Sequence, residues 1–210
     1  MITIVDYGAG NIRSVANSLT AVGYQAKVTS SPDDIAAADL LILPGVGAAG
    51  DTMKSLKNLG IADALTGYIM SGRPFLGICI GFQILFDRTE ENGGHDCLGI
   101  VRGEVRRLRG VSKIPHMGWN QVGQRSNHPV FEGIPDGACF YFVHSYYPAP
   151  EDKNIVAGET DYGLSFCSVI ASGNMVATQF HPEKSGDVGL RFLKNFVEFG
   201  VKKLDGAGVR

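Results

Sequence analysis

Short apolar runs alternate with helical segments through the first half of the chain, and this order constrains the fold more than any other feature. The runs from Ile2 to Val5, from Leu40 to Leu43 and from Pro74 to Ile78 are almost wholly apolar. Apolar runs of this length are typical of strands that are buried on both faces of a sheet. Between the first two runs, Asn11 is expected to cap a helix that extends to about Val22. This alternation predicts a mostly parallel sheet covered by helices.

The second half of the chain has a different pattern. From Gly99 to Phe180 it consists of short strand-like runs and turns with little helical periodicity. The runs from Ser165 to Ile170 and from Met175 to Phe180 are close enough along the chain to form a hairpin. An amphipathic helix is predicted from Asp187 to Lys203. We therefore predict an α/β fold with an additional antiparallel strand layer in the second half, built as one domain over residues 1–210.

Composition excludes several classes of protein. Nineteen Lys and Arg residues against 21 Asp and Glu residues give a formal charge of −2, which does not favour nucleic-acid binding through bulk charge. The chain has no apolar run long enough to span a membrane, and its first residues lack the basic and long apolar regions of a secretory signal, so none is expected. Its four cysteines lack metal-site spacing. We expect a cytoplasmic protein with reduced thiols, no metal and no cofactor.

The strongest local motif is Gly77-Ile78-Cys79-Ile80-Gly81, which lies between an apolar strand and a predicted helix from Gly81 to about Arg88. This is the context of a nucleophile elbow, here with a cysteine as the nucleophile. The two glycines allow a sharp turn that exposes Cys79 at a helix N-terminus, where the helix dipole favours a thiolate. The backbone N–H of Ile80 is then positioned to donate to an oxyanion. The alternative is a buried structural cysteine in a tight turn.

A second motif, His181-Pro182-Glu183, follows the last predicted strand. Proline disfavours helical backbone for His181, and in extended chain His181 and Glu183 point to the same side. A thiol nucleophile needs a base, and the base needs an acceptor that orients it. Cys79, His181 and Glu183 would supply all three at the carboxyl ends of two parallel strands, where α/β sheets build their sites. Taken alone, the tripeptide is a weak signal and favours an ordinary loop after a strand.

Two glycine turns follow the other apolar strands. Pro44-Gly45-Val46-Gly47 comes directly after the run from Leu40 to Leu43, so it is either a second source of oxyanion donors or an ordinary strand-to-helix turn. Gly8-Ala9-Gly10 suggests a dinucleotide-binding turn, but Arg13 stands where the third glycine or alanine of that fingerprint belongs.

Both catalytic motifs, extended to Gly77–Gln83 and Gln179–Ser185, resemble those of the class I glutamine amidotransferases, a family with a flavodoxin-like sheet. Three further segments resemble the glutaminase subunits of imidazole glycerol phosphate synthase, and the resemblance covers the chain to about residue 200. Ile80 and Phe82 stand where Leu and Met are usual in the elbow, and both keep its apolar bulk. The three segments are Asp6-Tyr7-Gly8-Ala9-Gly10-Asn11, Pro115-His116-Met117-Gly118-Trp119-Asn120 and Tyr141-Phe142-Val143-His144-Ser145-Tyr146.

The resemblance implies a reaction and a set of roles. Cys79 would attack the carboxamide of L-glutamine, His181 would transfer the thiol proton to the departing ammonia, and Glu183 would orient His181. The ammonia would pass to a separate (β/α)8 cyclase subunit, which uses it to make imidazole glycerol phosphate and an aminoimidazole carboxamide ribonucleotide for histidine biosynthesis. The remaining roles are glutamine binding by Gln83, Ser145 and Tyr146, oxyanion stabilisation by Gly45, Val46, Gly47 and Ile80, and contact with the cyclase by Met117, Trp119, Tyr141 and Lys184.

Three alternatives stay open on the sequence alone. The chain could be a glutaminase subunit of another pathway, or a cysteine hydrolase of the PfpI type, which shares a cysteine elbow. It could also be a non-catalytic binding protein on the same scaffold, although such a protein would be expected to have lost Cys79, His181 or Glu183. Glutamate release from glutamine distinguishes a glutaminase from the other two classes.

Overall fold

The protein is described by a computed structural model that covers the backbone of residues 1–207 and the side chains of residues 1–204. The last three residues of the predicted 1–210 domain lie outside the described residues. The strands are β1 (Ile2–Val5), β2 (Ala26–Thr29), β3 (Leu40–Leu43), β4 (Phe75–Ile78), β5 (Phe86–Thr89), β6 (His95–Asp96), β7 (Val101–Arg107), β8 (His116–Gln124), β9 (Ala138–His144), β10 (Tyr146–Pro150), β11 (Val156–Asp161), β12 (Ser165–Ser172) and β13 (Met175–Thr178). The helices are α1 (Ile12–Ala21), α2 (Pro32–Ala37), α3 (Ala49–Asn58), α4 (Ile61–Met70), α5 (Ile80–Gln83) and α6 (Gly186–Ala207).

A nine-stranded sheet forms the centre of the described residues, in the order β2-β1-β3-β4-β13-β12-β11-β8-β9. The first five strands pair in parallel. β1, β3 and β4 are buried along their whole length, as their uninterrupted apolar sequences require. Helix α1 packs with α6, and α4 packs with α2 and α3. The predicted fold class, a parallel sheet covered by helices, is therefore confirmed.

The antiparallel strands of the second half are divided between two sheets. β12, β11, β8 and β9 continue the main sheet beyond β13 with antiparallel pairing. β10, β7, β5 and β6 form a smaller mixed sheet. A single cluster of buried apolar side chains runs from β1 to α6 and includes residues from both halves of the chain. This continuity supports the single-domain assignment, which stays a prediction.

The prediction of a helix from Gly81 to about Arg88 is wrong beyond the first helical turn. Helix α5 ends at Gln83, and the chain continues into strand β5. Phe86 pairs with Val101 in the smaller sheet, and the Asp87 carboxylate accepts a hydrogen bond from the Gly103 N–H at 2.8 Å. Apolar residues at positions 84, 85 and 86 are all fully buried, so tertiary pairing overrides the weak helical pattern of the segment.

Two buried histidines join β8 and β9, where His116 is paired in register with His144. His144 Nδ1 lies 2.8 Å from the Tyr146 carbonyl oxygen, so it carries the proton, and His144 Nε2 accepts from His116 Nδ1 at 2.9 Å. The Asn120 amide donates to His116 Nε2 at 3.2 Å. Both rings are therefore neutral, and every ring nitrogen has a partner.

Burial lowers the pKa of His116 to about 4 and that of His144 to about 3. The unfolded chain, with ordinary histidines, takes up protons below about pH 6.5 that the folded chain does not. His181, whose pKa is raised, stays protonated in the folded chain. It therefore opposes this effect while the unfolded histidine gains its proton between pH 6.5 and pH 5, but only by about 0.4 kcal/mol.

We therefore expect the free energy of unfolding to fall by at least about 1 kcal/mol between pH 6.5 and pH 5, as measured by chemical denaturation. The fall should be smaller in His116→Phe, which keeps the ring stacking on Phe142 and Tyr162 but does not titrate. Equal stability of the wild-type chain at the two pH values would contradict this prediction.

Candidate active site

Cys79 occupies a strained backbone position between β4 and α5. Its φ of 54° and ψ of −104° lie outside the regions that side-chain-bearing residues favour, at a cost of about 1–3 kcal/mol. The surrounding hydrogen bonds hold it there. The Cys79 N–H donates to the Thr178 carbonyl at 2.7 Å, and the Cys79 carbonyl accepts from Phe82 and Gln83. Helix α5 has a single turn, so the helix dipole expected to act on Cys79 is weak.

Glycine is required at positions 77 and 81 because backbone oxygen atoms lie where a Cβ atom would stand. A Cβ at Gly81 would lie 2.0 Å from the Leu43 carbonyl oxygen, and a Cβ at Gly77 would lie 2.6 Å from the Gly81 carbonyl oxygen. The elbow is thus packed against the end of β3 with no room for a methyl group. This close approach explains both glycines of the motif.

His181 and Glu183 meet as predicted, but by a different geometry. His181 is extended, with φ −101° and ψ 96°, while the next three residues form a 3-10 turn. The turn brings Glu183 Oε1 to 2.8 Å from His181 Nδ1. Ser185 Oγ donates to the His181 carbonyl at 2.6 Å and accepts from the Tyr141 N–H at 3.0 Å. The histidine is thereby tied to strand β9.

The pair is almost completely withdrawn from solvent, since both side chains are 1% exposed. Burial by itself lowers the pKa of His181, but the adjacent Cys79 thiolate and the Glu183 carboxylate outweigh it and raise that pKa to about 10. His181 Nε2 nevertheless makes no well-formed hydrogen bond within the described residues. Catalytic contacts are often long in a free enzyme and tighten when substrate binds. The arrangement favours the protonated, imidazolium form of His181.

Asn11 contributes to this pair, although its sequence position indicates a different role. Asn11 occupies the N-cap position of helix α1 as predicted, but its side chain makes no capping hydrogen bond. Instead, Asn11 Nδ2 lies 3.4 Å from Glu183 Oε1. The role of Asn11 beside Glu183 is visible only in this contact, between residues 172 positions apart in sequence. No local sequence pattern predicts such a contact.

A cavity of about 380 Å³ opens over Cys79. Most of the predicted site residues line it, including Val46, Gly47, Ile80 and the predicted glutamine-binding residues. Gly45 does not line it, because it packs beneath, where a Cβ would lie 2.8 Å from both Ile80 Cβ and Tyr7 Oη. The full lining is Val46, Gly47, Cys79, Ile80, Gln83, Glu91, Pro115, Val143, His144, Ser145, Tyr146, His181 and Lys184.

Gln83 lines the cavity with little freedom to move. Its Nε2 donates to the Tyr146 carbonyl and to Gln179 Oε1, both at 3.0 Å. Both amide protons are therefore used inside the protein, and only Oε1 is left to meet a substrate. Gln83 can therefore hold glutamine, as predicted, only by accepting a hydrogen bond at Oε1.

Glu91 is a cavity residue that the sequence did not single out. It lies in an irregular segment twelve residues after Cys79, and its Oε2 accepts from the Ala49 N–H at 2.7 Å, at the N-terminus of α3. A carboxylate in a small cavity is suited to binding an ammonium group. The segment has no periodicity or spacing that would have revealed it.

The residues expected to face a partner form an exposed patch beside the cavity. Met117 and Trp119 on β8 are 61% and 58% exposed, so Trp119 is not a core aromatic. The Trp119 and Tyr141 ring centroids are 6.1 Å apart, and Lys184 Nζ is 5.9 Å from the Tyr141 ring centroid. Lys184 also lines the cavity, so patch and cavity adjoin.

Metal binding and membrane spanning find no support in the part of the chain that the structure describes. No group of three or more His, Cys, Asp and Glu side chains is arranged there to hold a metal ion. None of the helices described combines the length and the hydropathy that crossing a membrane requires.

Comparison with protein families matches residues 3–199 to the family "Glutamine amidotransferase class-I". Among curated proteins, the chain is 53% identical over 201 residues to the imidazole glycerol phosphate synthase subunit HisH of Dehalococcoides mccartyi strain CBDB1, covering 96% of this chain and 98% of that one. It is 49% identical over 194 residues to the subunit of the same name from Aquifex aeolicus, covering 92% and 94%.

Solved structures share the fold at low sequence identity. A structure described as a glutamine amidotransferase superposes with a TM-score of 0.73 at 20% identity, covering 96% of this chain and 100% of that one. The structure of PurLQS from Thermotoga maritima superposes with a TM-score of 0.71 at 19% identity, covering 97% and 98%.

The close approach of backbone atoms at Gly81 can be tested by measuring the free energy of unfolding. We expect Gly81→Ala to lower the free energy of unfolding by about 3 kcal/mol or to prevent folding, because its methyl group would overlap the Leu43 carbonyl. The matched control is Gly67→Ala on the exposed face of α4, where a Cβ meets nothing within 4 Å and alanine should stabilise by about 0.5–1 kcal/mol. Denaturation midpoints of the two variants measure the difference. A Gly81→Ala variant as stable as wild type would show that the close approach does not matter.

Proposed function

The chain belongs to the class I glutamine amidotransferase family, and we propose that it is the glutaminase subunit of an imidazole glycerol phosphate synthase. It hydrolyses L-glutamine to glutamate and ammonia in histidine biosynthesis. Identity of about 50% over nearly the whole length of HisH proteins supports this assignment. The observation that carries it is Cys79 in a strained elbow at the cavity, next to a buried His181–Glu183 pair.

The geometry supports an acyl-transfer mechanism. The Cys79 thiolate adds to the carboxamide carbon of glutamine, and the negative charge moves to the carbonyl oxygen. The Ile80 N–H and the backbone of Val46 and Gly47, which line the cavity, stabilise that oxyanion, while Gly45 lies beneath and supports the loop. His181 then gives its proton to the departing ammonia, leaving a glutamyl thioester on Cys79.

Hydrolysis of the thioester completes the cycle. Neutral His181 takes a proton from water, the resulting hydroxide adds to the thioester carbon, and Cys79 leaves as a thiolate with release of glutamate. Glu183 holds His181 Nδ1–H throughout, which directs Nε2 toward the sulfur. Asn11 donates to the same Glu183 oxygen and steadies it.

Glutamine recognition uses the walls of the cavity. Glu91 offers a carboxylate for the α-ammonium group of the substrate, since it is the acidic side chain among the described residues that line the cavity. Ser145 and Tyr146, which directly follow β9, also line the cavity, and Gln83 Oε1 accepts a hydrogen bond from the substrate.

The partner in this proposal is a (β/α)8 cyclase subunit, and the cyclase step, a lyase reaction, belongs to it. The patch of Met117, Trp119, Tyr141 and Lys184 is the proposed contact surface, supported by the exposure of its apolar members beside the cavity. Ammonia released at Cys79 would cross this surface without entering water, where it would be protonated.

We also propose a cytoplasmic location. Cys79, Cys97, Cys139 and Cys167 are all free, in keeping with a reducing compartment. A PfpI-type cysteine hydrolase is the contrasting activity, and it predicts peptidase activity in place of glutamate release.

Replacement of the nucleophile separates the two halves of the reaction. We expect Cys79→Ala to abolish glutamate release from glutamine while the chain still folds and binds the cyclase. Ammonium salts at alkaline pH should restore cyclase product in the assembled complex, because unprotonated ammonia is all that this subunit supplies. Cyclase product and glutamate are measured in parallel, with Cys139→Ala as the control thiol variant. Failure of ammonium to rescue Cys79→Ala would contradict the proposed division of labour.

The contact surface predicts coupling between the two sites. A loop whose backbone can flip at Gly47, where φ is +94°, can switch one oxyanion donor on or off, and one donor accounts for about 10²–10³-fold in rate. We expect slow glutamine hydrolysis by the isolated chain and stimulation of at least about 100-fold by the cyclase with its nucleotide ligand. Trp119→Ala should lower the stimulated rate or the affinity for the cyclase and leave the basal rate unchanged. Full activity of the isolated chain would rule this coupling out.

A further inference from the structure

Next to Cys79 lies a buried amide that has no role in the mechanism above. Gln179 follows directly after β13, is fully buried and does not line the cavity. Its Nε2 lies 3.6 Å from Cys79 Sγ, within hydrogen-bonding distance of a sulfur acceptor. Its backbone N–H donates to the Ser168 carbonyl at 2.9 Å, which anchors the residue to the neighbouring strand.

The orientation of this amide is determined by a chain of partners. The Tyr146 carbonyl can only accept, so the group that Gln83 presents to it at 3.0 Å is Nε2. The same Gln83 Nε2 lies 3.0 Å from Gln179, which must then present its oxygen. The Gln179 N–H group is left facing Cys79. Reversing either amide would set two donors against each other or two oxygens against each other.

We propose that Gln179 is a further catalytic residue, whose amide N–H donates a hydrogen bond to the Cys79 sulfur and stabilises it as a thiolate. This inference rests on the proposed glutaminase function. The thiolate attacks the carboxamide and is regenerated when the glutamyl thioester breaks. Because Gln179 does not line the cavity, its donor acts at both points without blocking the approach of substrate.

The physical need for such a donor follows from burial. Cys79 is 4% exposed, and a charged sulfur out of water is costly unless it is paired and hydrogen-bonded. His181 supplies the opposite charge from the cavity side, but its Nε2 makes no well-formed hydrogen bond among the described residues. Within the same part of the chain, the Gln179 amide is the side-chain group that donates to Cys79 Sγ.

The test measures the thiolate directly in the full-length isolated chain. Iodoacetamide reacts with thiolates, so its rate at Cys79, followed by peptide mass spectrometry from pH 4 to pH 9, measures ionisation without any need for glutamine turnover. Hydrogen bonds to charged groups predict that Gln179→Met moves the midpoint of this profile up by about one pH unit and lowers kcat about 10- to 100-fold. KM should rise in Gln179→Met, because Gln83 Nε2 loses its acceptor, and should change little in Gln179→Glu, which keeps an oxygen for Gln83.

Other titratable groups near the sulfur do not confuse this measurement. The pKa of Tyr7 is raised to about 12, chiefly by burial, and that of His181 to about 10, so both keep their protons over most of this range. Glu91 and Lys184 line the cavity unchanged in every variant. The exposed thiol of Cys139 provides an internal reference in each sample, because its profile should be the same in all variants.

Thr178→Val is the matched control for lost packing. Thr178 is also fully buried, and its hydroxyl donates to the Phe180 carbonyl at 2.9 Å, so this variant removes a buried hydrogen bond next to Gln179 but no donor to sulfur. Its Cys79 profile should match wild type. If Gln179→Met does not fold, Gln179→Glu keeps the acceptor for Gln83 and replaces the donor by a carboxylate, which should move the midpoint up further.

The outcomes are distinct. A raised Cys79 midpoint in the Gln179 variants with an unchanged profile in Thr178→Val supports the inference. A Cys79 profile in the Gln179 variants identical to wild type overturns it, even if kcat falls, because Gln179 would then act through packing alone. If wild-type chain and cyclase together release no glutamate from glutamine, the proposed function fails, while the alkylation profile still decides whether Gln179 acts on the sulfur.

Discussion

The parallel pairing of β4 with β13 is the constraint on which the rest of the site depends. Ile78 is aligned with Thr178, and the hydrogen bond from the Cys79 N–H to the Thr178 carbonyl extends this pairing by one residue. Two strands in this register end side by side, so the residues that follow them, Cys79 on one and Gln179 and His181 on the other, emerge together. A shift of register by one residue would turn Gln179 away from the sulfur.

Burial of charge is the cost that this arrangement must offset. The His181–Glu183 pair is 1% exposed, and an unpaired charge in such a position would be strongly unfavourable. Partners from two separate parts of the chain compensate: Asn11 donates to Glu183, while in the segment from Gln179 to Ser185 the Ser185 hydroxyl donates to the His181 carbonyl and Gln179 donates to Cys79. The sulfur, the imidazole and the carboxylate therefore form one electrostatic unit, and the raised pKa of His181 reflects it.

Strand β9 links this unit to the exposed patch. Tyr141 belongs to the patch, and its backbone accepts from the His181 N–H at 2.9 Å and donates to Ser185 Oγ at 3.0 Å. The neighbouring residue Lys184 lies over the Tyr141 ring. A partner that contacts Tyr141 therefore contacts a residue whose backbone is hydrogen-bonded to His181, the catalytic base. This is a short physical connection through which occupancy of the patch can act on Cys79.

Local sequence patterns determined the parallel half of the fold, the elbow around Cys79 and the pairing of His181 with Glu183, because apolar runs and glycine or proline punctuation act over a few residues. The same patterns misjudged the segment after Gln83, where strand pairing with β7 decides the structure. They also missed Asn11, Glu91 and Gln179, whose roles depend on contacts across 172, 42 and 100 positions of sequence. The sequence by itself therefore determined which types of chemical group are present. The tertiary structure decided the partner of each group, because a hydrogen bond depends on distance in space and leaves no pattern in the residues between its two ends.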